Sequence, residues 1–193
     1  MGKGRIEAFS DGVLAVIITI MVLELHPPHG VELSALVELI PTFLSYVLSF
    51  IFVGIYWNNH HHMFQSVEHI DGGAMWANSH LLFWLSLVPF ATSWMDDSNF
   101  ATLPVAVYGF IMFMCGVAFF ILAHRLIKLN GPDSRLAQAL GDDRKGKISP
   151  VLYGAGIVSS FISPWIACGF YVLVALLWLI PDRRIEQVMR RQR

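Results

Sequence analysis

Apolar residues are gathered into long runs along this chain of 193 residues, and most runs match the length of a helix that crosses a bilayer. One crossing needs about 20 mostly apolar residues. The runs predict six spans, at residues 6–25, 41–62, 74–95, 103–126, 148–163 and 164–180. Charged residues make up 14% of the chain, against about 25% in a soluble domain. We therefore predict an all-α fold, a bundle of six transmembrane helices that forms one integral membrane domain over residues 1–193.

Proline residues define the least regular spans. Pro89 predicts a kink in the third span. The apolar run from residue 148 to residue 180 is too long for one ordinary span. The dipeptide Ser163-Pro164 lies in its middle and predicts a hairpin of two short helices.

All 13 lysine and arginine residues fall on one side of this six-span arrangement. They precede the first span, flank the connection between the fourth and fifth spans, and follow the sixth. Basic residues favour the cytoplasmic side of a membrane. Both termini, a polar linker at residues 129–147 and a basic tail at residues 182–193 are therefore predicted to be cytoplasmic.

The opposite side carries acidic residues without a compensating cation. These residues are Glu24, Glu32, Glu38, Asp96 and Asp97. An acidic mouth would concentrate cations near the protein. Short solvated loops explain the same residues equally well, so both interpretations stay open.

Asp11 lies about one turn inside the first apolar run, where a carboxylate facing lipid costs about 2.5–3.5 kcal/mol. Arg5 is the nearest cation, but a separation of six residues on a helix directs the two side chains to different sides. Partners on other helices are therefore expected for Arg5, Ser10 and Asp11. The candidates at a similar depth are Trp57, Asn58, Asn78 and His80.

Val16, Ile20 and Leu23 have i, i+4, i+7 spacing and form one apolar stripe on the first helix. Packing against another helix explains such a stripe. A bundle of six helices is too small to enclose a channel, whereas a symmetric ring of identical first helices can do so. An apolar ring of this kind gates conduction by dewetting.

The histidine run His60–His62 ends the second span. Adjacent helical residues point about 100° apart, so the three rings do not form one chelating face. A role near the headgroups accounts for them, and a metal-binding membrane enzyme is the alternative. No hydrolase triad spacing, phosphate-binding loop or dinucleotide motif is present, and nothing supports binding of nucleic acid.

Arg5-x-x-x-Phe9-Ser10-Asp11, followed by Gly12-Val13-Leu14-Ala15-Val16-Ile17-Ile18-Thr19, resembles the signature of the transmembrane protein 175 family. Members are cation channels, and the animal members are lysosomal and endosomal potassium channels. Bacterial members are similar to this chain in having one six-span repeat. The resemblance implies a homotetramer in the cell membrane of a prokaryote, with the first helices around a central pore. It implies no carbonyl filter, no cofactor and potassium as the permeant ion.

The resemblance also implies roles for individual residues. Val16, Ile20 and Leu23 would narrow the pore, and Thr19 would contribute to the selectivity among monovalent cations. Arg5, together with Phe9, Ser10 and Asp11, would fasten the base of the pore helix to neighbouring spans.

Three hypotheses follow, and a potassium-permeable channel that is not an enzyme comes first. A secondary transporter or proton pathway using Asp11, His80 and Glu24 is the alternative, although no duplicated half with broken helices is evident. A membrane metalloenzyme using His60–His62 is the third.

Overall fold

The computed structural model describes residues 2–28, 30–141 and 143–179, and the regular structure in these residues is entirely helical. The helices of the described residues are α1 (Lys3–Leu23), α2 (Leu33–Glu38), α3 (Ile40–Gln65), α4 (Gly72–Ser86), α5 (Val88–Asp97), α6 (Thr102–Asn130), α7 (Arg135–Leu140), α8 (Arg144–Ser160) and α9 (Pro164–Leu179).

Helix α6 is the centre of the bundle and packs against α4, α5, α8 and α9. Its side chains at Tyr108, Met112, Cys115, Leu122 and Leu126 are fully buried. Spacings of three and four residues repeat along α6 and keep these side chains on one face. Helix α1 lies at the edge of the bundle, against α3, α4 and α5. One side of α1 is therefore left without a neighbour among the described residues.

Three of the described helices are long and apolar enough to cross a membrane, namely Lys3–Leu23, Ile40–Gln65 and Thr102–Asn130. The apolar helix Pro164–Leu179 is shorter. The remaining predicted spans correspond to α4 and α5, which have 15 and 10 residues, and to α8, which has 17.

The predicted third span, 74–95, is two helices instead of one kinked helix. Helix α4 ends at Ser86 and α5 begins at Val88, with Leu87 between them. Pro89 occupies the first turn of α5, where its missing N–H is tolerated but cannot continue the hydrogen-bond ladder of α4. The proline therefore ends one helix and starts the next.

The predicted linker at residues 129–147 is largely helical. It contains all of α7, and α8 begins at Arg144 instead of residue 148. An Asp143 carboxylate oxygen accepts a hydrogen bond of 2.8 Å from the Gly146 amide, which caps the start of α8. Periodic hydrophobicity did not reveal this extension, because the first turn of α8 is basic.

Helices α8 and α9 form a hairpin that turns at residues 161–163. Tyr171 of α9 lies against Gly109 and Gly156, where an added Cβ would overlap its ring. The Tyr171 hydroxyl donates a hydrogen bond of 3.2 Å to the Val105 carbonyl. Two glycines thus let the tyrosine ring sit between α6 and α8. Residue 180 and the predicted basic tail at residues 182–193 lie outside the described residues.

The loop between α3 and α4 is fastened to the end of α6. The side-chain oxygen of Asn130 accepts hydrogen bonds from the amides of Glu68 and His69, at 3.0 and 2.9 Å. Its side-chain nitrogen donates to the His69 carbonyl at 3.0 Å. Nearby, Arg125 forms an ion pair with Asp71. The Ala74 amide and then the Arg125 guanidinium hold the pKa of Asp71 below its usual value.

Candidate pore helix

The two faces of α1 differ sharply in burial. The buried face, with spacings of three and four residues, carries Ile6, Ser10, Leu14, Ile17 and Met21. This face packs against α3, α4 and α5. The opposite face is exposed on the subunit over the length of the helix. The packing of α1 therefore leaves a second, continuous face available.

The predicted pore residues lie on the exposed side of α1. The exposed fractions are 56% for Val16, 42% for Ile20 and 72% for Leu23. Thr19 is exposed beside them, and its hydroxyl donates a hydrogen bond of 2.9 Å to the Ala15 carbonyl of its own helix. The hydroxyl oxygen of Thr19 keeps its lone pairs available as an acceptor.

A buried chain of hydrogen bonds holds the first half of α1 to two other helices. The Asn78 side-chain amide of α4 donates to the Ser10 hydroxyl at 3.0 Å. The Asn78 side-chain oxygen lies 2.7 Å from Nε2 of His60 on α3. All three side chains are buried, and buried polar groups without partners are costly. The chain therefore fixes both the depth and the rotation of α1.

Asp11 has a separate partner. The Trp57 indole nitrogen donates a hydrogen bond of 3.0 Å to an Asp11 carboxylate oxygen. The Trp57 ring also stacks on His61, with ring centroids 6.1 Å apart. Asp11 and Trp57 are both exposed on the subunit, whereas Ser10 and Asn78 are buried. The reason is geometric, because Asp11 lies one residue, or about 100°, from the buried Ser10.

The other predicted members of this network lie apart from it. Arg5 is exposed, and no described residue forms a hydrogen bond or ion pair with its guanidinium. Phe9 is 61% exposed. Asn58 is exposed on the side of α3 away from His60, as a two-residue separation on a helix predicts. His80 instead accepts a hydrogen bond of 2.9 Å from Trp84 of its own helix. Of the eight residues predicted for this network, the single chain brings together four, in the two separate contacts Ser10–Asn78 and Asp11–Trp57.

His60 belongs to the buried hydrogen-bond chain with Ser10 and Asn78, although the sequence analysis grouped it with the histidine run His60–His62. It lies three residues after Trp57, so both side chains lie on neighbouring parts of one face of α3. This spacing could have indicated that Trp57 and His60 both face α1. Grouping His60 with His61 and His62 hid this signal.

The three adjacent histidines do not share a site. His60 contacts Asn78, and Nε2 of His61 lies 2.8 Å from the Gln65 side-chain nitrogen. Nδ1 of His62 is buried without a partner among the described residues. Within that part of the chain, no group of three histidine, cysteine or acidic side chains is close enough to hold a metal ion. The arrangement therefore gives the metalloenzyme hypothesis no geometric support.

The far end of α1 meets acidic residues at a small cavity of about 130 Å³. Glu24 accepts a hydrogen bond of 3.0 Å from the Ser93 hydroxyl. Asp96 accepts one of 2.6 Å from the Ser45 hydroxyl. Burial raises the pKa of Asp96 to about 7, against the opposing effect of Ser45. Three of the five predicted acidic residues, counting Asp97, therefore line the same cavity.

Comparison with known proteins places these features in a family. The sequence profile described as endosomal/lysosomal potassium channel TMEM175 matches residues 5–89, which include most of α1 and all of α2, α3 and α4. A potassium channel of Chryseobacterium sp. (strain P1-3) is 55% identical over 190 residues, 98% of this chain and 99% of that protein. This chain belongs to the TMEM175 family.

The family likeness extends to the three-dimensional fold. The crystal structure of a lysosomal potassium-selective channel TMEM175 homolog from Chamaesiphon minutus matches this chain with a TM-score of 0.80. The match has 32% sequence identity and covers 92% of this chain and 96% of the other. The endosomal/lysosomal proton channel TMEM175 of Gallus gallus is 38% identical over 76 residues, 33% of this chain and 15% of that protein. Bacterial TMEM175 relatives therefore match nearly the whole chain, and the animal protein matches a part.

Proposed function

We propose that this chain is one subunit of a homotetrameric potassium channel in a prokaryotic cell membrane. The exposed face of α1 is the single observation that carries the proposal. Four copies of this face around one axis would enclose a path that one subunit cannot enclose. The names of the full-length bacterial relatives support potassium as the permeant ion.

The narrow part of the path would be apolar and without a ring of backbone carbonyls. Val16, Ile20 and Leu23 occupy successive levels along α1. At about 1.5 Å of rise per residue, these levels are separated by about 6 Å and about 4.5 Å. Water is unstable in a narrow apolar ring, so conduction requires the ring to widen or wet. We assign the hydrophobic gate to these three side chains.

Thr19 would supply the polar group of this constriction. It lies between the levels of Val16 and Ile20, and its hydroxyl oxygen is an acceptor that a partly dehydrated cation can use. The internal hydrogen bond to Ala15 directs the hydroxyl proton away from the path. Thr19 therefore favours a cation at that level.

Four copies would also change the surroundings of the exposed charges at the base of α1. Arg5 lies 18 residues from Leu23, which is five full helical turns, so both side chains are on one face. The guanidinium would therefore lie at the cytoplasmic entrance of the path, under the orientation that the basic residues predict. Asp11, held by Trp57, would lie at the flank of the same entrance.

A proton pathway is the second candidate, because the animal relative is named a proton channel. The proposed relay of Asp11, His80 and Glu24 has little support from the contacts of the chain. Each of these side chains has a different partner, respectively Trp57, Trp84 and Ser93. We therefore rank potassium conduction first.

Flux from liposomes under a potassium gradient tests the proposal. Uncoupled, electrogenic potassium flux that scales with tetramer content is the expected result. Flux that requires proton counter-movement would identify a transporter, and a proton current without potassium flux would identify a proton pathway. Empty liposomes and liposomes with a potassium ionophore give the two reference levels. Absence of all three fluxes would overturn the assignment.

A further inference from the structure

We propose that the cavity between α3, α6 and α8 binds an uncharged aromatic ligand with two carbonyl oxygens, which is the chemistry of a membrane quinone. The cavity has a volume of about 320 Å³, within the range of about 300–1,000 Å³ that is typical of small-molecule sites. Its described walls include no residue of α1, so the site is separate from the proposed ion path. The observation that carries the proposal is a pair of tyrosine hydroxyls without partners.

Tyr56 of α3 and Tyr153 of α8 both line this cavity. Neither hydroxyl forms a hydrogen bond with a residue that the structure describes. The hydroxyls of the buried Tyr108 and Tyr171, in contrast, have partners inside the bundle, at 3.1 and 3.2 Å. Because a polar group that is removed from water without a partner is costly, the two unpaired hydroxyls indicate that a partner is missing from the single chain.

Both hydroxyls can reach the cavity. Within the described residues, the buried side-chain atoms that lack a partner and are sealed from any probe are Nδ1 of His62 and Nε of Arg125, so the two tyrosine hydroxyls keep some accessible surface. Tyr153 is otherwise buried, with 3% of its surface exposed, and the cavity that it lines is the space open to its hydroxyl. The Tyr56 hydroxyl lies 3.8 Å from the position that a Cβ on Gly116, another wall of the cavity, would occupy.

Aromatic contacts hold the two tyrosine rings in place. Tyr56 meets Phe119 edge-on, with ring centroids 6.1 Å apart, and the Tyr153 ring lies 6.2 Å from that of Phe52. Phe52, Phe119 and Phe113 also line the cavity. Aromatic side chains pack well on another flat ring, either stacked with an offset or edge to face. The walls therefore favour a flat aromatic body, and the two phenols present hydrogen-bond donors to it.

The other polar side chains that line the cavity have partners within the described chain. Asn59 and His124 contact carbonyl oxygens of their own helices, and the Ser149 hydroxyl both donates and accepts a hydrogen bond of 2.8 Å. Asp143 caps α8, and Lys147 also has an interaction partner. Neither charge is therefore left for a charged ligand, whose burial among apolar walls would be costly. The two phenols select an uncharged ligand with two acceptor oxygens.

Duroquinone and durene test the site, because durene has the same methylated ring without the carbonyl oxygens. Equilibrium dialysis of the purified protein in detergent micelles measures both affinities, with empty micelles as the background. We expect duroquinone to bind at least tenfold more tightly, since durene leaves both phenols unpaired. Tyr56→Phe and Tyr153→Phe each remove one hydroxyl and keep the ring, so each should weaken duroquinone binding about fivefold and leave durene binding unchanged. Tyr46→Phe is the matched control, because Tyr46 is also on α3 but lines the separate acidic cavity.

Equal affinities for duroquinone and durene would overturn the proposal, because the phenols would then contribute nothing to binding. Duroquinone binding that is unchanged in both tyrosine variants would also overturn it. Gly116→Leu places a larger side chain among the walls and should abolish the binding of both ligands, whereas Gly169→Leu on α9 should not, because an added Cβ there meets open space at an exposed position. Tight binding that survives Gly116→Leu would contradict this location, and the tyrosine variants decide the question if Gly116→Leu does not fold.

Discussion

Asn78 of α4 donates a hydrogen bond of 3.0 Å to the hydroxyl of Ser10, in the middle of the buried face of α1. The other side of the Asn78 amide faces His60 of α3 at 2.7 Å. One asparagine therefore links three helices through two buried contacts. This arrangement makes the position of α1 sensitive to single polar substitutions.

We predict that Ser10→Ala destabilises the folded protein by about 1–3 kcal/mol, because it leaves the buried Asn78 amide without its acceptor. Thermal unfolding in detergent measures the effect. Ser79→Ala is the control on α4, since the exposed Ser79 hydroxyl bonds to the Met75 carbonyl of its own helix. Equal melting temperatures for the two variants would contradict a structural role for the Ser10–Asn78 contact.

The contact between Asp11 and Trp57 predicts coupled energetics. Asp11→Ala, which removes the acceptor, and Trp57→Phe, which removes the donor, should each weaken the protein, and the double variant should cost less than the sum of the two. We expect a coupling of about 1 kcal/mol, below the range of about 1.5–3 kcal/mol for a hydrogen bond to a charged group, because both side chains are exposed. A double-mutant cycle of unfolding free energies measures it. Strict additivity would mean that the hydrogen bond contributes nothing.

Polar substitutions on the exposed stripe of α1 test the gate. Val16→Thr and Leu23→Asn should wet the constriction and raise basal potassium flux. If the free-energy barrier to conduction falls by about 1.4 kcal/mol, the potassium flux rises about tenfold. Flux is measured in liposomes at matched tetramer amounts. Val22→Thr is the control, because Val22 is exposed but points about 100° away from Leu23.

Thr19→Val should change the potassium-to-sodium selectivity with little effect on assembly, because it removes the polar atom and keeps the shape. Reversal potentials in mixed gradients measure this selectivity. If the stripe packs against another helix, the polar substitutions would lower stability and leave the flux per channel unchanged. Unchanged flux and unchanged selectivity in all three variants would end the assignment of the pore.

Asp96 predicts a pH dependence of stability. Its pKa is raised from 3.8 to about 7, so the folded state holds the proton more tightly than the unfolded state. The contribution of Asp96 to the stability of the protein is therefore most favourable below about pH 4, and it is lost as the pH rises towards about 7. Asp96→Asn should flatten this dependence and stabilise the protein at pH 7.5 by about 1 kcal/mol, after allowance for solvent screening.

Melting curves between pH 5 and pH 8 check this effect. Glu32→Gln is the control, since Glu32 is exposed and lies outside the cavity that Asp96 shares with Glu24 and Asp97. A pH profile of Asp96→Asn that matches that of the unmodified protein would show that another group is responsible.

Cysteine labelling tests the orientation in the membrane. Asp97→Cys should react from outside intact cells, and Asp133→Cys should react only after the cells are opened. Both aspartates are exposed on the subunit and lie at opposite ends of α6. The Cys168→Ala background removes the native thiol that is partly exposed. Reaction of Asp133→Cys from outside would invert the proposed topology.

The amino-acid sequence predicted the three helices with the longest apolar runs, α1, α3 and α6, because length and hydropathy suffice for them. It did not predict that α8 begins at Arg144, since a basic first turn has no hydrophobic signal. The dipeptide Ser163-Pro164 predicted the hairpin turn, which the structure places at residues 161–163. The sequence predicted a kink at Pro89 and not the break at Leu87. A proline that starts a new helix and a proline that bends a continuous helix cannot be distinguished by sequence alone.

For the candidate site, the sequence predicted which residues lie at a similar depth in the membrane, but not which of them are in contact. Ser10–Asn78 and Asp11–Trp57 join residues that were expected at one depth. The depth of a residue along a helix follows from its number in the sequence. Its contact partner depends on the rotation of the helix about its own axis, which hydrophobic periodicity fixes only within about 100°. Asn58 and His80 were selected by depth, and the rotation of α3 and α4 directs them away from α1.

The contacts of Asn130 impose an order on assembly in the membrane. The loop amides of Glu68 and His69 are synthesised about 60 residues before the asparagine that accepts from them. During synthesis, water must satisfy these amides until α6 has inserted and its end has reached the same membrane surface. Insertion of α3 and α4 therefore leaves a provisional connection between them, and insertion of α6 completes it. Asn130→Ala should consequently impair the maturation of a newly made chain more than the function of chains that have already assembled.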